Sequence, residues 1–372
     1  MWELPEEEDL GDDQRGVINL DLAESHLVSG PPGSGKSVMA VYRTISLDGL
    51  EEPVILIMHG KVLTLFTEGA LRHQGVDSAV ISTYDAWFPR WFRSAYGQDP
   101  PRISKWRFDW DACIRLAGEH PAPEPLRPHV IVDEGQDLPQ MFYIFLSLAA
   151  RTMTVFADEN QAIREDNSTL EEIMAAGLIT STAELVTNYR NTRAINAFAG
   201  HFWIGDGAPP AEMTDSAEDG DKPVLDCDPD LTTTINRIAQ YEQNHSHLQI
   251  GVLLPYSRQV TRFYNRLSRR RTSNLVQMYL SDMEDTQRLV DFSTPGVKIL
   301  TWASMKGLEF DTVFLPELQT ITVPDPSAEV FLRKMYVATT RAKTELWLLY
   351  SGEGEPPLLS TFPMDLLEDW RE

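Results

Sequence analysis

The sequence predicts an α/β fold with parallel sheets, arranged as two lobes in tandem. Short apolar runs rich in β-branched residues recur between helical segments in both halves of the chain. Such runs are typical of strands buried on both faces of a parallel sheet. Residues 30–37 also have the pattern of a phosphate-binding loop, which joins a strand to a helix in α/β proteins. The length of 372 residues suits two domains.

Eight apolar runs are predicted to be strands. Those of the first lobe are 54–58, 79–82, 129–132 and 153–156, and those of the second are 249–254, 297–301, 312–315 and 346–350. We place the first domain at residues 1–184 and the second at residues 185–372. The first carries an aromatic and basic insertion at about 85–128, and the second an acidic loop at about 204–231.

Composition and charge restrict the class of protein. The net charge is −24, which argues against a chain coated in nucleic acid but leaves room for a local basic groove. Cys113 and Cys227 are the two cysteines, so neither a disulfide framework nor a cysteine zinc site is expected. Apolar runs are shorter than a membrane span, and residues 1–13 are acidic, unlike a signal peptide. We therefore expect a cytoplasmic protein without a membrane partner.

The phosphate-loop motif G-x-x-x-x-G-K-[ST] is met by residues 30–37, which read G-P-P-G-S-G-K-S. A run with strand character precedes it at 25–29, and a helical pattern follows at 38–42. Glycines allow the backbone N–H groups to turn toward phosphate oxygens. Lys36 is expected to reach the β- and γ-phosphates, and the Ser37 hydroxyl to ligate Mg²⁺. The predicted nucleotide-binding residues of this loop are Gly30, Gly33, Ser34, Gly35, Lys36 and Ser37. The alternative is a glycine- and proline-rich turn with a solvated lysine, so this loop favours binding of ATP or GTP.

Two adjacent carboxylates end the predicted strand at 129–132, where the chain reads H-V-I-V-D-E-G-Q-D-L. A phosphate-loop enzyme needs an aspartate at such a strand end to hold Mg²⁺. Asp133 fits that role, and Glu134 beside it is placed to orient and deprotonate the attacking water. The alternative is a helix N-cap by Asp133 with a glutamate in the first turn.

Residues 133–137, D-E-G-Q-D, resemble the D-E-x-Q-D motif of the UvrD/Rep-like superfamily 1 helicases. Six further segments resemble motifs of that family in the family's order. They are 10–15, 30–37, 156–161, 185–191, 301–311 and 335–342. The resemblance implies two RecA-like domains with ATP in the cleft between them. It also implies ATP hydrolysis with Mg²⁺, coupled to single-stranded nucleic acid, with DNA preferred over RNA.

The resemblance implies roles for individual residues of the first domain. Gln14 and Arg15 belong to a segment similar to the motif that reads the adenine. Gln161 ends a segment similar to the motif whose glutamine senses the γ-phosphate.

The resemblance also implies roles in the second domain. Tyr189 would lie against the adenine, Arg190 would contact the γ-phosphate, and Glu309 would meet the ribose. Arg341 would act as a second arginine finger. This agrees with general chemistry, because an arginine supplied across a cleft neutralises the charge that develops on the transferred phosphoryl group.

The sequence also departs from the family pattern in segments that contact the strand in the helicases. Residues 162–167 have no aromatic residue, Ala157 replaces a usual glycine, and Asp85 stands where histidine is common. These changes leave the ATPase residues intact and place the nucleic-acid path in question. Both insertions are short, so we expect a minimal two-lobe motor without the duplex-gripping subdomain.

The insertion at 85–128 has two interpretations. Its tryptophans and arginines suit a single-strand platform, because bases stack on aromatic rings and arginines hold phosphates. The rival is a small hydrophobic subdomain packed on the first lobe, or a docking surface for a partner protein.

Three functions remain open at this point. The first is an ATP-driven translocase or helicase on single-stranded nucleic acid. The second is a partner-dependent ATPase subunit of a larger complex, for example with a nuclease, without autonomous unwinding. The third, a nucleotide-binding scaffold without activity, is disfavoured because the residues needed for hydrolysis are present.

Overall fold

The computed structural model of the chain describes residues 4–58, 64, 67–68, 71–105, 107–158, 168–204, 212–281, 290–291, 294–322 and 328–371. The chain divides between Thr187 and Asn188 into two compact units, residues 3–187 and residues 188–372. We call these the first and the second unit. No helix in the described part of the chain is long and apolar enough to cross a bilayer.

The first unit is built on a parallel sheet. Its strands are β1 (His26–Ser29), β2 (Val54–Met58), β3 (Ile81–Thr83), β4 (Arg102–Ser104), β5 (Arg107–Phe108), β6 (His129–Val132), β7 (Thr152–Ala157) and β8 (Ser181–Glu184). Six of them form one sheet in the order β3-β2-β6-β7-β1-β8, and every neighbouring pair is parallel. β4 and β5 form a separate antiparallel hairpin. The four strands predicted for this lobe are confirmed, although 79–80 belong to a 3₁₀ turn.

Helices connect the parallel strands of the first unit. They are α1 (Asp12–Ile18), α2 (Lys36–Gly49), α3 (Tyr84–Tyr96), α4 (Trp110–Glu119), α5 (Gln140–Ala149) and α6 (Leu170–Gly177). α2 follows β1 through the phosphate loop and buries Met39, Ala40 and Val41. Because the strands are parallel, the loops that leave β1, β6 and β7 emerge at one edge of the sheet, where the strand order also makes these three neighbours.

The insertion of the first unit forms a packed subdomain. It consists of α3, the β4–β5 hairpin and α4, and its aromatic side chains join the core beneath α5. Trp87 is 4% exposed and Trp91 is 9% exposed. The Phe88 ring lies 5.2 Å from that of Phe145 on α5. This burial argues against the first of the two interpretations, a platform for bases, because ring faces held in a core are closed to a nucleic-acid strand. The packing interpretation is favoured for these tryptophans.

The second unit contains a seven-stranded sheet. Its strands follow the two-residue strands β9 (Thr187–Asn188) and β10 (Glu212–Met213), and they are β11 (Val224–Asp228), β12 (Gln249–Leu254), β13 (Val276–Met278), β14 (Gly296–Thr301), β15 (Phe310–Leu315), β16 (Ala342–Ser351) and β17 (Glu368–Asp369). The order is β13-β14-β12-β15-β16-β11-β17, and the neighbouring strands are parallel. All four strands predicted for this lobe are confirmed.

The helices of the second unit are α7 (Arg193–Gly200), α8 (Leu231–Asn244), α9 (Ser257–Leu267) and α10 (Glu329–Thr339). α8 and α9 pack apolar faces on the sheet, with Ile235, Ile238, Val260 and Phe263 buried against β12 and β14. The two units are therefore α/β structures, as the sequence predicted.

Part of the segment expected to be an acidic loop is a strand. β11 lies between β16 and β17 in the sheet. Its carboxylates are neutralised, because Arg237 on α8 lies 2.6 Å from Asp226 and 2.8 Å from Asp228. Partnered aspartates are tolerated in a strand that would otherwise be interpreted as a loop. Residues 205–211 lie outside the described residues.

Candidate functional site

The phosphate loop lies between β1 and α2 and is shaped by its glycines. Gly33 has φ +84° and Gly35 has φ +88°, a backbone region that other residues rarely adopt. A Cβ added at Gly35 would lie 2.3 Å from Gln14 Nε2, and one at Gly30 would lie 2.7 Å from the Leu185 carbonyl oxygen. The loop is therefore held against the rest of the first unit so closely that side chains are excluded.

Lys36 begins α2 and is enclosed by the loop. Its ammonium group donates to the Gly30 carbonyl at 2.5 Å and to the Pro31 carbonyl at 2.9 Å. It also lies 3.7 Å from Asp158, which follows β7. Ser34 is buried, and its hydroxyl donates to the same Pro31 carbonyl at 2.9 Å. These contacts place a positive charge inside the concave face of the loop, where phosphate oxygens would be bound.

Ser37 and Asp133 come together as the sequence predicted. The Ser37 hydroxyl donates to Asp133 Oδ2 at 2.6 Å. Asp133 is held at the end of β6, because its N–H donates to the Ile57 carbonyl of β2 at 2.9 Å. Burial, together with the neighbouring charge of Glu134, raises the pKa of Asp133 to about 6, although the Ser37 hydroxyl and Lys36 oppose this shift.

This pair fits Mg²⁺. Two oxygen ligands, one hydroxyl and one carboxylate, lie within hydrogen-bonding distance of each other beside the phosphate loop, and Mg²⁺ prefers oxygen donors. A nearby cation would also stabilise the charged form of the buried Asp133, whose charge is disfavoured by its surroundings. Ser37 and Asp133 are therefore the residues that would hold the ion.

Glu134 is held in an unusual backbone conformation. Its φ of +56° lies in the left-handed region, which costs a non-glycine residue about 1 kcal/mol or more and is common at functional sites. Its carboxylate accepts a hydrogen bond from Gln136 Nε2 at 2.6 Å. Gln136 in turn accepts one from the Asp158 N–H at 2.9 Å. The side chain of Glu134 is thus oriented by a network that spans the ends of β6 and β7.

Gln136 and Asp158 are site residues that the sequence prediction did not assign. Both lie in segments that had been recognised, 133–137 and 156–161, so the signal was present. Their contribution could not be inferred from the motifs alone, because it depends on hydrogen bonds between the ends of two strands.

Gln14 and Arg15 have different surroundings. Gln14 is buried, and its amide donates to the Ser34 carbonyl at 3.1 Å. Arg15 is exposed and pairs with Asp12 at 3.2 Å. The structure therefore brings Gln14, but not Arg15, to the phosphate loop. Gln161 lies outside the described residues, so its role in sensing the γ-phosphate stays a prediction.

In the second unit, Arg190 and Glu309 form an ion pair. Arg190 Nε donates to Glu309 Oε2 at 2.8 Å, and Lys343 lies 2.9 Å from Glu309 Oε1. Burial alone would raise the pKa of Glu309, but Arg190 and Lys343 outweigh it and lower that pKa to about 2. Tyr189, next to Arg190, is 40% exposed. Three of the predicted residues of this unit therefore lie near one another, and Lys343 joins them.

Arg341 occupies a different environment from the one expected of an arginine finger. Its side chain is 1% exposed. The guanidinium group donates to the Val337 carbonyl at 2.9 Å, to the Leu308 carbonyl at 3.1 Å and to the Thr340 hydroxyl at 3.2 Å. In this conformation Arg341 therefore braces the second unit, and its proposed contact with a nucleotide stays a prediction.

Comparison with known proteins relates the chain to helicases. Residues 231–353 match the model of the UvrD-like helicase C-terminal domain. The chain is 26% identical over 250 residues to a proposed ATP-dependent DNA helicase of Acanthamoeba polyphaga mimivirus, covering 59% of this chain and 34% of that protein. It is 48% identical over 63 residues to the RecBCD enzyme subunit RecB of Chlamydia pneumoniae, covering 17% of this chain and 6% of RecB. The chain thus spans about a third or less of these relatives.

Among solved structures, the helicase of PRRSV is similar over 94% of this chain and 56% of its own, with 15% identity and a TM-score of 0.42. The residues matched by the family model lie in the second unit and include two of the segments that resemble helicase motifs, 301–311 and 335–342. Residues 231–353 of the second unit are therefore similar to the C-terminal domain of UvrD-like helicases.

Proposed function

We propose that the protein is a helicase-type ATP hydrolase that couples hydrolysis to single-stranded nucleic acid. The observation that carries this proposal is the convergence of Lys36, Ser37, Asp133 and Glu134 at one edge of the first sheet. A phosphate cradle, a metal-ligand pair and an oriented carboxylate are the parts that phosphate-loop hydrolases require.

Each of these residues has a role in the proposed reaction. Lys36 binds the phosphate oxygens, and Ser37 and Asp133 would hold Mg²⁺, which when bound supplies positive charge to the β- and γ-phosphates. Glu134 accepts a proton from the attacking water and orients it. Gln136 positions the Glu134 carboxylate through its hydrogen bond at 2.6 Å.

We further propose that Arg190 of the second unit completes catalysis by neutralising charge on the γ-phosphoryl group. Its pairing with Glu309 keeps the guanidinium group ordered. Arg190→Ala is expected to lower ATP turnover by about 10³-fold or more, the usual effect of losing such an arginine. Unchanged turnover would remove Arg190 from the mechanism.

The nucleic-acid substrate rests on the relatives. One is named as a DNA helicase and another as a subunit of the RecBCD enzyme, which supports DNA in preference to RNA. A second candidate is a partner-dependent ATPase within a larger complex, for example with a nuclease. The RecB likeness favours it, because RecB is named as a subunit of a larger enzyme.

The test is steady-state ATP hydrolysis by the purified chain with and without single-stranded DNA or RNA, at fixed salt. We expect Mg²⁺-dependent hydrolysis that single-stranded DNA stimulates. Hydrolysis without stimulation by either strand would contradict the stand-alone translocase and favour the partner-dependent ATPase. Absence of hydrolysis in all conditions would contradict the stand-alone enzyme.

A further inference from the structure

An arginine-rich segment of the second unit has no role in the proposed ATPase. Residues 243–281 contain no aspartate or glutamate, although the chain has 56 acidic residues and a net charge of −24. The same segment contains six arginines. They are Arg258, Arg262, Arg266, Arg269, Arg270 and Arg271.

These arginines are presented by α9 and the turn that follows it. A spacing of four places Arg258, Arg262 and Arg266 on one face of the helix. The opposite face, which includes Phe263 and Leu267, is fully buried in the core. All six arginines are exposed. The helix therefore holds a row of arginines on a rigid element, in which Arg262 is paired with Glu317 while Arg266 lies nearer the cavity described next.

The row ends at a cavity. Arg266, Arg269 and Arg270 surround a space of about 280 Å³ together with Thr232 and Ile235 of α8. Arg270 Nε donates to Asn236 Oδ1 at 2.8 Å, which fixes one side of the cavity. Thr232 lies in the first turn of α8, so the positive end of that helix faces the same region.

Arg266 and Arg269 differ from several other arginines of the chain, whose charges are neutralised by carboxylates. Arg72 pairs with Glu68, and Arg333 pairs with Glu329 at 2.6 Å. Among the described residues, no carboxylate forms a salt bridge with Arg266 or Arg269.

One acidic group interacts with a cavity arginine: Asp230, the N-cap of α8, lies close enough to be affected by the charge of Arg266. Hydrogen bonds from Thr233, together with the charge of Arg266, lower the pKa of Asp230. One carboxylate beside three arginines leaves a net positive site, and like charges held together on a surface repel one another unless an anion binds.

A simpler explanation is that cations at the end of α9 complement the helix dipole. That effect accounts for one or two basic residues in the last turn. It explains neither the 39-residue absence of acidic residues nor the half-open cavity between two helices. Guanidinium groups bind phosphate through paired N–H donors, and arginine is preferred for this purpose.

We propose that Arg266, Arg269 and the cavity that they border bind phosphate groups of a nucleic-acid backbone, at a site separate from the ATP motifs. This inference rests on the proposed function, because it assumes that the chain acts on nucleic acid. The site would provide a contact with the nucleic-acid strand that the buried tryptophans of the aromatic insertion do not provide.

The test is binding of a labelled single-stranded oligonucleotide to the full chain between 50 and 200 mM salt. The variant is Arg266→Gln with Arg269→Gln, which leaves the Arg270 hydrogen bond in place. Each lost phosphate contact should lower the affinity at 0.1 M salt by about five-fold, so the loss of two contacts should lower it by about 25-fold. The slope of log K against log salt should fall by about 1.4, with basal ATP hydrolysis unchanged.

The matched control is Arg72→Gln with Arg333→Gln, which removes the same charge from arginines that carboxylates already neutralise. This control should keep wild-type affinity and slope. If the Arg266 and Arg269 variant also keeps them, the site is refuted while the proposed function stands. Equal displacement of the oligonucleotide by polyglutamate of the same charge would refute the assignment to phosphate.

If the wild type binds no oligonucleotide, the proposed coupling to nucleic acid fails, and tripolyphosphate alone then tests the cavity. Calorimetric binding that the double variant loses would support a phosphate site there. No binding of tripolyphosphate by the wild type would overturn the site as well.

Discussion

Arg190 donates to Glu309 through Nε at 2.8 Å, and Lys343 contacts the other oxygen of the same carboxylate at 2.9 Å. One carboxylate therefore holds two cations in the second unit. The sequence prediction gave Arg190 and Glu309 separate roles, on the γ-phosphate and on the ribose. The pairing uses Arg190 Nε and both oxygens of Glu309, so the ribose role of Glu309 requires these contacts to rearrange.

Glu309→Gln should destabilise the protein at pH 7 by about 1–3 kcal/mol, because two charge-assisted contacts are weakened. The pKa of Glu309 in the folded protein, about 2, lies below its value in an unfolded chain. Its contribution is therefore present above the unfolded pKa and is lost as the pH falls from about 4.5 toward 2. Urea unfolding of both proteins at pH 7, 5, 4 and 3 measures this. A difference independent of pH would contradict the ionised pair.

Asp133→Asn should stabilise the ligand-free protein at pH 7 by about 1–3 kcal/mol, because it removes a buried charge whose pKa is raised to about 6. In the wild type the charged form is disfavoured by folding, so the penalty grows as the pH rises from about 4 to 6 and is absent below about 4. Thermal unfolding with a chelator and without nucleotide, at pH 4 and pH 7, gives the comparison.

The same variant should lose the stabilisation that Mg²⁺ and ATP together give the wild type, since one of the two metal ligands is gone. If Asp133→Asn is instead less stable than the wild type at pH 7 without ligands, the claim that a buried charge at Asp133 destabilises the ligand-free protein is wrong.

Trp87→Ala should lower the free energy of unfolding by about 3–5 kcal/mol, because the ring is buried and packs on Trp91 and Phe142. The control is Arg90→Ala on the exposed side of the same helix, which should change stability by about 0.5 kcal/mol or less. Urea unfolding distinguishes the two. A Trp87→Ala protein of wild-type stability that binds single strands weakly would restore the base-stacking interpretation.

Much of the fold could be predicted because its strands are continuous apolar runs. β2, β6 and β12 begin and end at the predicted residues, since strands buried on both faces need no polar positions. β11 was missed because Asp226 and Asp228 make it look like a loop, and the compensating Arg237 lies on the next helix. Such pairing becomes visible when the helix and the strand are brought together.

The residues of the candidate site that belong to recognisable motifs could be predicted from the sequence. Spacing identified Lys36, Ser37, Asp133 and Glu134, because phosphate chemistry requires those residue types in that order. The burial of a side chain could not be inferred from its residue type, because Arg15 is exposed whereas Arg341 is buried. The arginine row of α9 was present in the sequence, but its cavity depends on where α8 lies.

The most direct test of the central claim is ATP turnover by Glu134→Gln at saturating ATP and Mg²⁺. The change keeps the shape of the side chain and its position beside Gln136, but it removes the group that accepts the proton from water. Lys36→Ala serves as the comparison, because it should weaken both ATP binding and turnover. We predict that Glu134→Gln binds ATP within a few-fold of the wild type and that its turnover falls by about 10²-fold or more. Turnover equal to that of the wild type would contradict the account.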